Sequence, residues 1–133
     1  MTTGDYTSEQ LAIQAASCEL PGFTADDAVE LGLLATQKAR ASAKPIIIEV
    51  HRLGRLAYRA VLTGSLPDSD DWIERKARVV ERFAASTMAV RVRFEERGTT
   101  FNEATGLSEA DYAAHGGGFP IVVPSVGIVG AIY

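Results

Sequence analysis

Cysteine is almost absent from this sequence, since Cys18 is the only one among 133 residues. One thiol cannot close an internal disulfide or build a thiolate metal site alone, which indicates a reducing compartment. Long apolar runs are missing too, because no stretch approaches the ~20 residues that span a bilayer. The polar start, residues 1–10, lacks the basic and apolar segments of a signal peptide. We therefore expect a cytoplasmic protein that does not enter a membrane.

Positive charge is also scarce. Lys and Arg total 13 against 17 Asp and Glu, which gives a formal net charge of −4. A polyphosphate would be repelled at long range, so nucleic acid is not an expected partner. The length suits one domain with one core, and 47% hydrophobic with 23% charged residues is ordinary globular composition. We expect a single domain over residues 1–133.

The first part of the chain predicts two helices and a hairpin. One helix covers about 7–17; the other begins at a Thr24 capping box and continues through 28–43. The first turns of the second helix are apolar almost all round, which predicts heavy burial. Gly32 within it predicts the close approach of another backbone. Ile46–Val50 and Leu56–Leu62 alternate as strands, and a turn at Gly54 would join them.

The second part predicts two more long helical segments. Ser69 is expected to cap the first, with Asp70 and Asp71 in its opening turn, where the helix dipole favours acids. Residues 84–97 continue as helix, with a break near 86–87 where the charge pattern changes. The apolar face of the first helix is predicted to carry Trp72, Val79, Val80 and Phe83.

The last part of the chain predicts a short helix, a glycine loop and two strands. Ser108 would cap a helix that ends at His115, and three glycines follow it. Phe119–Val123 and Val126–Tyr133 are predicted strands. Together with the hairpin they predict an α/β (α+β) domain in which four strands form one antiparallel sheet.

His115 and the glycine loop are the first candidate site. An imidazole at a helix end beside Gly116, Gly117 and Gly118 could ligate a metal or haem iron, or hold a ligand by a hydrogen bond. The alternative is a histidine that caps the helix, followed by glycines that only make a tight turn. The loop follows a helix instead of preceding one, which argues against a phosphate-binding loop. His51, on a regular strand, is the weaker histidine.

The charged residues have two interpretations as well. Asp70-Asp71 opens a helix, which explains the pair without catalysis. Arg75 and Lys76 begin a basic cluster that is either a solvated face paired with neighbouring acids or a site for an anionic ligand. No nucleophile elbow, nucleophile–base pair or metal triad is evident, so no catalytic residue is assigned.

Three segments, in this order and spacing, resemble the GlcG/HbpS-like superfamily, whose domain is also described as haem-degrading. They are Asp70-Asp71-Trp72-Ile73 with Arg75-Lys76, then Ala113-Ala114-His115-Gly116-Gly117-Gly118-Phe119-Pro120-Ile121, and finally Val126-Gly127-Ile128-Val129-Gly130. The resemblance implies a profilin-like antiparallel sheet with packed helices, and a symmetric homo-oligomer. Some members of the superfamily bind haem, so haem is the cofactor that the resemblance implies, with His115 as its candidate ligand.

The candidate site residues divide into two groups. Those expected to bind a ligand are His115, Gly116, Gly117, Gly118, Phe119, Tyr112, Arg75 and Lys76; those expected to be structural are Asp70, Asp71, Trp72 and Pro120. Relatives usually continue past the last strand into a polar turn and a closing helix, so the single GlcG/HbpS-like domain at 1–133 is expected to lack that helix.

Three functions remain open from the sequence. The first is an oligomeric module that binds a small planar or anionic ligand, with haem as the named example. The second is a protein-interaction module whose motif residues are structural and interfacial, and the excess of apolar surface favours it. The third is an enzyme of unknown reaction.

Overall fold

The computed structural model describes residues 1–133 as a mixed α/β fold built on one four-stranded sheet. The strand order is β2-β1-β4-β3, and every neighbouring pair is antiparallel. The predicted fold class is thereby confirmed. The elements are α1 (Ser8–Ser17), α2 (Ala25–Ala41), β1 (Ile47–Arg52), β2 (Arg55–Val61), α3 (Asp68–Phe83), α4 (Thr87–Glu95), α5 (Phe101–Thr105), β3 (Phe119–Val123) and β4 (Gly127–Ile132).

Helix α2 covers one face of the sheet. Its start is fixed by the predicted capping box, in which the Thr24 hydroxyl accepts from the Asp27 amide and the Asp27 carboxylate accepts from the Thr24 amide. Gly32 lies against the Tyr58 ring, and a methyl group there would overlap that ring. The predicted close approach at Gly32 is therefore made by a side chain, and the expectation of a neighbouring backbone is wrong. Tyr58 is held there by a 2.6 Å hydrogen bond between its hydroxyl and that of Thr36.

The opposite side of α2 is not covered. Val29, Leu33 and Leu34 are 37%, 44% and 51% exposed. The prediction that the first turns of this helix are heavily buried is wrong for the single chain, because a two-layer fold covers only one side of a helix. The exposed side leaves an apolar strip on the surface, which we call the α2 strip (Val29, Leu33 and Leu34).

Helices α3, α4 and α5 enclose a second apolar cluster that contains Val79, Val90, Phe94 and Phe101. The predicted break at 86–87 is present, since Ala84 takes a left-handed conformation and Ser86 caps α4. Helix α3 begins at Asp68 after Pro67, so Ser69 lies inside its first turn and the predicted Ser69 cap is wrong. Helix α5 was not predicted from the sequence.

The segment after Ser108 forms a single turn and not a helix. The amides of Asp111 and Tyr112 both bond to the Ser108 carbonyl, but the next amide, of Ala113, bonds to the Arg75 carbonyl on α3. This long-range bond pulls the chain out of the helical path. The predicted helix ending at His115 is therefore wrong, and His115 lies in a loop.

None of the helices combines the length and the apolar character that crossing a bilayer would need.

Candidate functional site

Helix α3 carries the Asp70-Asp71-Trp72 motif. It lies beside the glycine loop, which belongs to the second motif, on the sheet face opposite α2. Ile47 and Glu49 of β1 point to this face, because side chains alternate along a strand and Ile48 packs on the α2 side. A cavity of about 380 Å³ lies between α3, the start of β1 and the glycine loop. We call it the Lys76 cavity; its walls include Ile47, Ser69, Trp72, Ile73, Lys76, Gly116, Gly117 and Tyr133.

The glycine loop is anchored to the start of α4. Thr87 is fully buried, and its amide donates to the Gly118 carbonyl over 2.9 Å. In return, the Gly118 amide donates to the Thr87 hydroxyl over 3.0 Å. A side chain at Gly118 would meet the Thr87 methyl group at 2.9 Å. These bonds hold the loop in one position, so its rim of the cavity is preformed.

Lys76 and Gly117 form the closest contact between the two motifs. Gly117 has φ +118°, and a Cβ added there would lie 2.8 Å from Lys76 Nζ. The positive φ favours glycine at this position, and a side chain there would displace the flexible end of Lys76. Lys76 is half-buried, and it has neither a carboxylate partner nor a hydrogen bond. Burial lowers the pKa of its amine, because the charged form loses solvation.

Trp72 forms an aromatic wall of the same cavity. The Arg75 guanidinium stacks on its indole ring at 3.8 Å and is itself held by a 2.7 Å ion pair with Asp71. The indole nitrogen donates to the Asp68 carboxylate over 3.2 Å. Trp72 is half-buried, and it lies outside the cluster of Val79 and Phe83. The prediction that these residues share one packed face is therefore wrong for Trp72.

His115 lies behind Trp72 and is engaged at both ring nitrogens. Its Nδ1 accepts from the Arg91 guanidinium over 2.8 Å, and its Nε2 is bonded to the Glu109 carboxylate. Its ring meets Trp72 edge-on, with 5.6 Å between centroids.

The fit of haem to this histidine can be tested on these contacts. An iron ligand needs a free ring nitrogen, whereas both nitrogens of His115 are occupied by Arg91 and Glu109. His51 has its Nε2 bonded to Glu49 over 2.7 Å. His115 as arranged therefore does not fit the role of haem ligand that the resemblance implied. No three His, Cys, Asp or Glu side chains are grouped so that they could hold a metal ion.

The remaining motif residues lie outside the Lys76 cavity. Asp70 forms an ion pair with Arg59 of β2, which also pairs with Glu49. The Tyr112 hydroxyl accepts from Arg82 over 3.5 Å. Pro120 is buried in β3. These residues contact neighbouring elements of the fold. The candidate site residues that meet at the Lys76 cavity are Trp72, Lys76, Gly116 and Gly117.

Phe119 lines a second cavity, of about 460 Å³, which lies on the other side of the glycine loop and is mainly apolar. Gly116, Gly117 and Tyr133 border both cavities. Sequence reasoning missed Ser69 and Tyr133 as cavity residues. Because side chains alternate along a strand, Tyr133 lies on the same face as Ala131, and this alternation could have placed Tyr133 on the α3 side of the sheet. For Ser69, no signal in the sequence distinguishes a cavity residue from a helix cap.

A protein-family model described as haem degrading protein HbpS-like matches residues 23–133. The matched range includes α2, the sheet and every residue of the Lys76 cavity. The chain belongs to this HbpS-like family. A UPF0303 protein of Streptomyces coelicolor is 49% identical over 110 residues, covering 83% of the HbpS-like chain and 70% of the relative. A UPF0303 protein of Burkholderia thailandensis is 36% identical over 124 residues, covering 93% and 75%.

Solved structures agree with the HbpS-like fold. The Ybr137w protein superimposes with a TM-score of 0.82 at 26% identity, over 96% of this chain and 76% of that chain. HbpS itself gives a TM-score of 0.60 at 20% identity, over 99% and 82%. At that identity the likeness to HbpS shows the fold alone.

Proposed function

We propose that this protein binds a small, planar, anionic ligand in the Lys76 cavity. The observation that carries the proposal is the half-buried amine of Lys76, which has no anion beside it. A charge that has lost solvent without gaining a partner destabilises the fold, and a bound anion would supply the partner. Trp72 adds a flat aromatic wall that suits a planar ligand.

The size and rigidity of the site support the same proposal. A volume of about 380 Å³ lies within the range of small-molecule sites. The loop is fixed by its bonds to Thr87, and Trp72 is fixed by Arg75 and Asp68. A preformed site loses little conformational entropy when it binds a ligand, which favours affinity.

The test uses Trp72 as its own reporter, since it is the only tryptophan in the chain. We expect 4-nitrobenzoate to quench its fluorescence saturably, and the neutral isostere 4-nitrobenzamide to do so more weakly. Lys76→Gln should remove the difference between the two probes, whereas Lys38→Gln, at an exposed position on α2, should keep it. Equal quenching by both probes in the wild type, or an unchanged difference in Lys76→Gln, would contradict the proposal.

Haem is a second candidate ligand, and the family description supports it. Because Arg91 and Glu109 occupy His115, we expect a haem titration to give the same Soret band in wild type and His115→Ala. Loss of the band in His115→Ala would show instead that this histidine leaves its partners to bind iron. His51→Ala is the matched control for loss of a histidine elsewhere.

We also propose that the protein is a cytoplasmic homo-oligomer. The α2 strip supports self-association, because Val29 and Leu33, four residues apart on one side of the helix, both expose apolar side chains. An exposed free thiol at Cys18 supports a reducing location. Covering of the strip by a different protein is the alternative, and it would make the chain an interaction module.

A further inference from the structure

Lys76 has the surroundings of a nucleophilic amine as well as those of an anion-binding cation. Its ammonium form is stabilised by no carboxylate, and its stem runs through the half-buried space between α3 and the glycine loop. Both conditions favour the neutral amine, which is the form that attacks carbonyl carbon. Lys38 and Lys44, the other two lysines of the chain, are exposed.

The amine of Lys76 lies against Gly117 at the edge of the cavity. A Cβ at Gly117 would lie 2.8 Å from Nζ, so a side chain there would displace the end of the lysine. Lys76 thus borders the cavity while α3 holds the base of its side chain. Ile47, Ile73 and Trp72 make much of the remaining wall apolar, and an apolar wall limits the water that would hydrolyse an imine.

Two residues with hydroxyl groups, Ser69 and Tyr133, line the same cavity. Burial, with the carboxylates of Glu81 and Glu49 nearby, raises the pKa of Tyr133 to about 12. The phenol therefore keeps its proton at neutral pH. An amine and two hydroxyl-bearing residues thus line one cavity.

We propose that Lys76 forms a reversible imine with small planar aldehydes that enter this cavity. The neutral Nζ attacks the carbonyl carbon, and a proton moves from nitrogen to the carbonyl oxygen to give a carbinolamine. The carbon–oxygen bond then breaks, the hydroxyl takes up the remaining N–H proton and leaves as water, and a carbon–nitrogen double bond forms. The sequence is a condensation without net oxidation or reduction, so it needs no further reactant. The inference rests on the proposed function and narrows its ligand class to planar anions that carry an aldehyde group.

The test traps the imine by reduction. The folded protein is incubated at neutral pH with 4-formylbenzoate and sodium cyanoborohydride, and the adduct is located by peptide mass mapping. We expect the adduct at Lys76 ahead of Lys38, Lys44 and the α-amino group of Met1. Terephthalate, which is planar and anionic but has a second carboxylate in place of the aldehyde, should suppress labelling at Lys76 and leave the exposed amines unaffected. Lys76→Arg, which keeps the positive charge, should lose the adduct.

Two outcomes would overturn the imine proposal: no adduct at Lys76, or labelling of all amines at equal rates without protection by terephthalate. Quenching of Trp72 fluorescence by terephthalate separates this failure from that of the proposed function. If terephthalate quenches Trp72 saturably and Lys76 forms no adduct, the anion site stands and the imine is wrong. If terephthalate neither quenches nor protects, both are wrong. The wild-type labelling pattern decides the matter without any variant that could misfold.

Discussion

Replacing Trp72 with alanine separates a structural role from a binding role. The sequence predicted a core tryptophan, for which truncation costs about 3–5 kcal/mol. The structure shows a half-buried ring at the wall of the Lys76 cavity. We therefore expect Trp72→Ala to keep the fold and to lose the ligand.

The magnitude follows from the contacts that the ring makes. The Arg75 guanidinium at 3.8 Å is a cation–π contact, which contributes about 0.5–1 kcal/mol when it is exposed. The edge contact with His115 and the 3.2 Å bond from the indole to Asp68 add contributions of similar size, reduced by solvent. We expect a total cost of about 1–2 kcal/mol in the free energy of unfolding.

The assay is urea unfolding followed by far-ultraviolet circular dichroism, since the variant has no tryptophan to report fluorescence. Phe101→Ala is the matched control, because Phe101 is 4% exposed and packs against Phe83 and Phe94. It should cost about 3–5 kcal/mol. If Trp72→Ala destabilises the protein as much as Phe101→Ala does, Trp72 is a core residue and the argument for a preformed aromatic wall is refuted.

Four further predictions test the fold and its electrostatics. Gly32→Ala should cost about 1–3 kcal/mol in urea unfolding, because its methyl group overlaps the Tyr58 ring. Hydrogen bonds from Thr3 lower the pKa of Glu95, so ionised Glu95 stabilises the folded state above the ordinary pKa of 4.5, and this stabilisation is lost as the pH falls below that value. Glu95→Gln should therefore reduce the change in the free energy of unfolding over this pH range. Lys76→Met should raise the melting temperature at neutral pH, and the gain should disappear above pH 10.5, where the unfolded amine is also neutral. Light scattering at micromolar concentration should give a mass above that of one chain, and a monomer mass would contradict self-association through the α2 strip.

The parts of the fold that the sequence predicted are those fixed by local interactions. The capping box at Thr24 involves residues three positions apart, and the hairpin turn at Gly54 joins adjacent strands. The short helix predicted after Ser108 does not form, because the Arg75 carbonyl, distant in sequence, takes one of its backbone amides. Once the Ala113 amide bonds to the Arg75 carbonyl, a second helical turn cannot form. A single sequence contains no signal for such a bond.

The site was only partly predictable for the same reason. The two motifs were recognised separately, but their contact joins Lys76 to Gly117 across about forty residues of chain. Arg75 and Lys76 looked equivalent in sequence. Neighbouring residues on a helix point about 100° apart, so one reaches Glu109 in the loop and the other enters the cavity. Only the three-dimensional path of α3 distinguishes the structural cation from the free one.

Whether each positively charged side chain has a carboxylate partner distinguishes a binding site from a purely structural contact between α3 and the glycine loop. Arg59, Arg75 and Arg91 each have a carboxylate within ion-pairing distance, as expected of cations that hold elements together. Lys76 is more enclosed than an ordinary surface lysine, and it has no carboxylate partner. A junction selected only for stability would place an acid or an apolar residue there, since an unpaired half-buried ammonium group destabilises the folded state. The destabilisation is offset if the amine binds a ligand in the cavity that Lys76 borders.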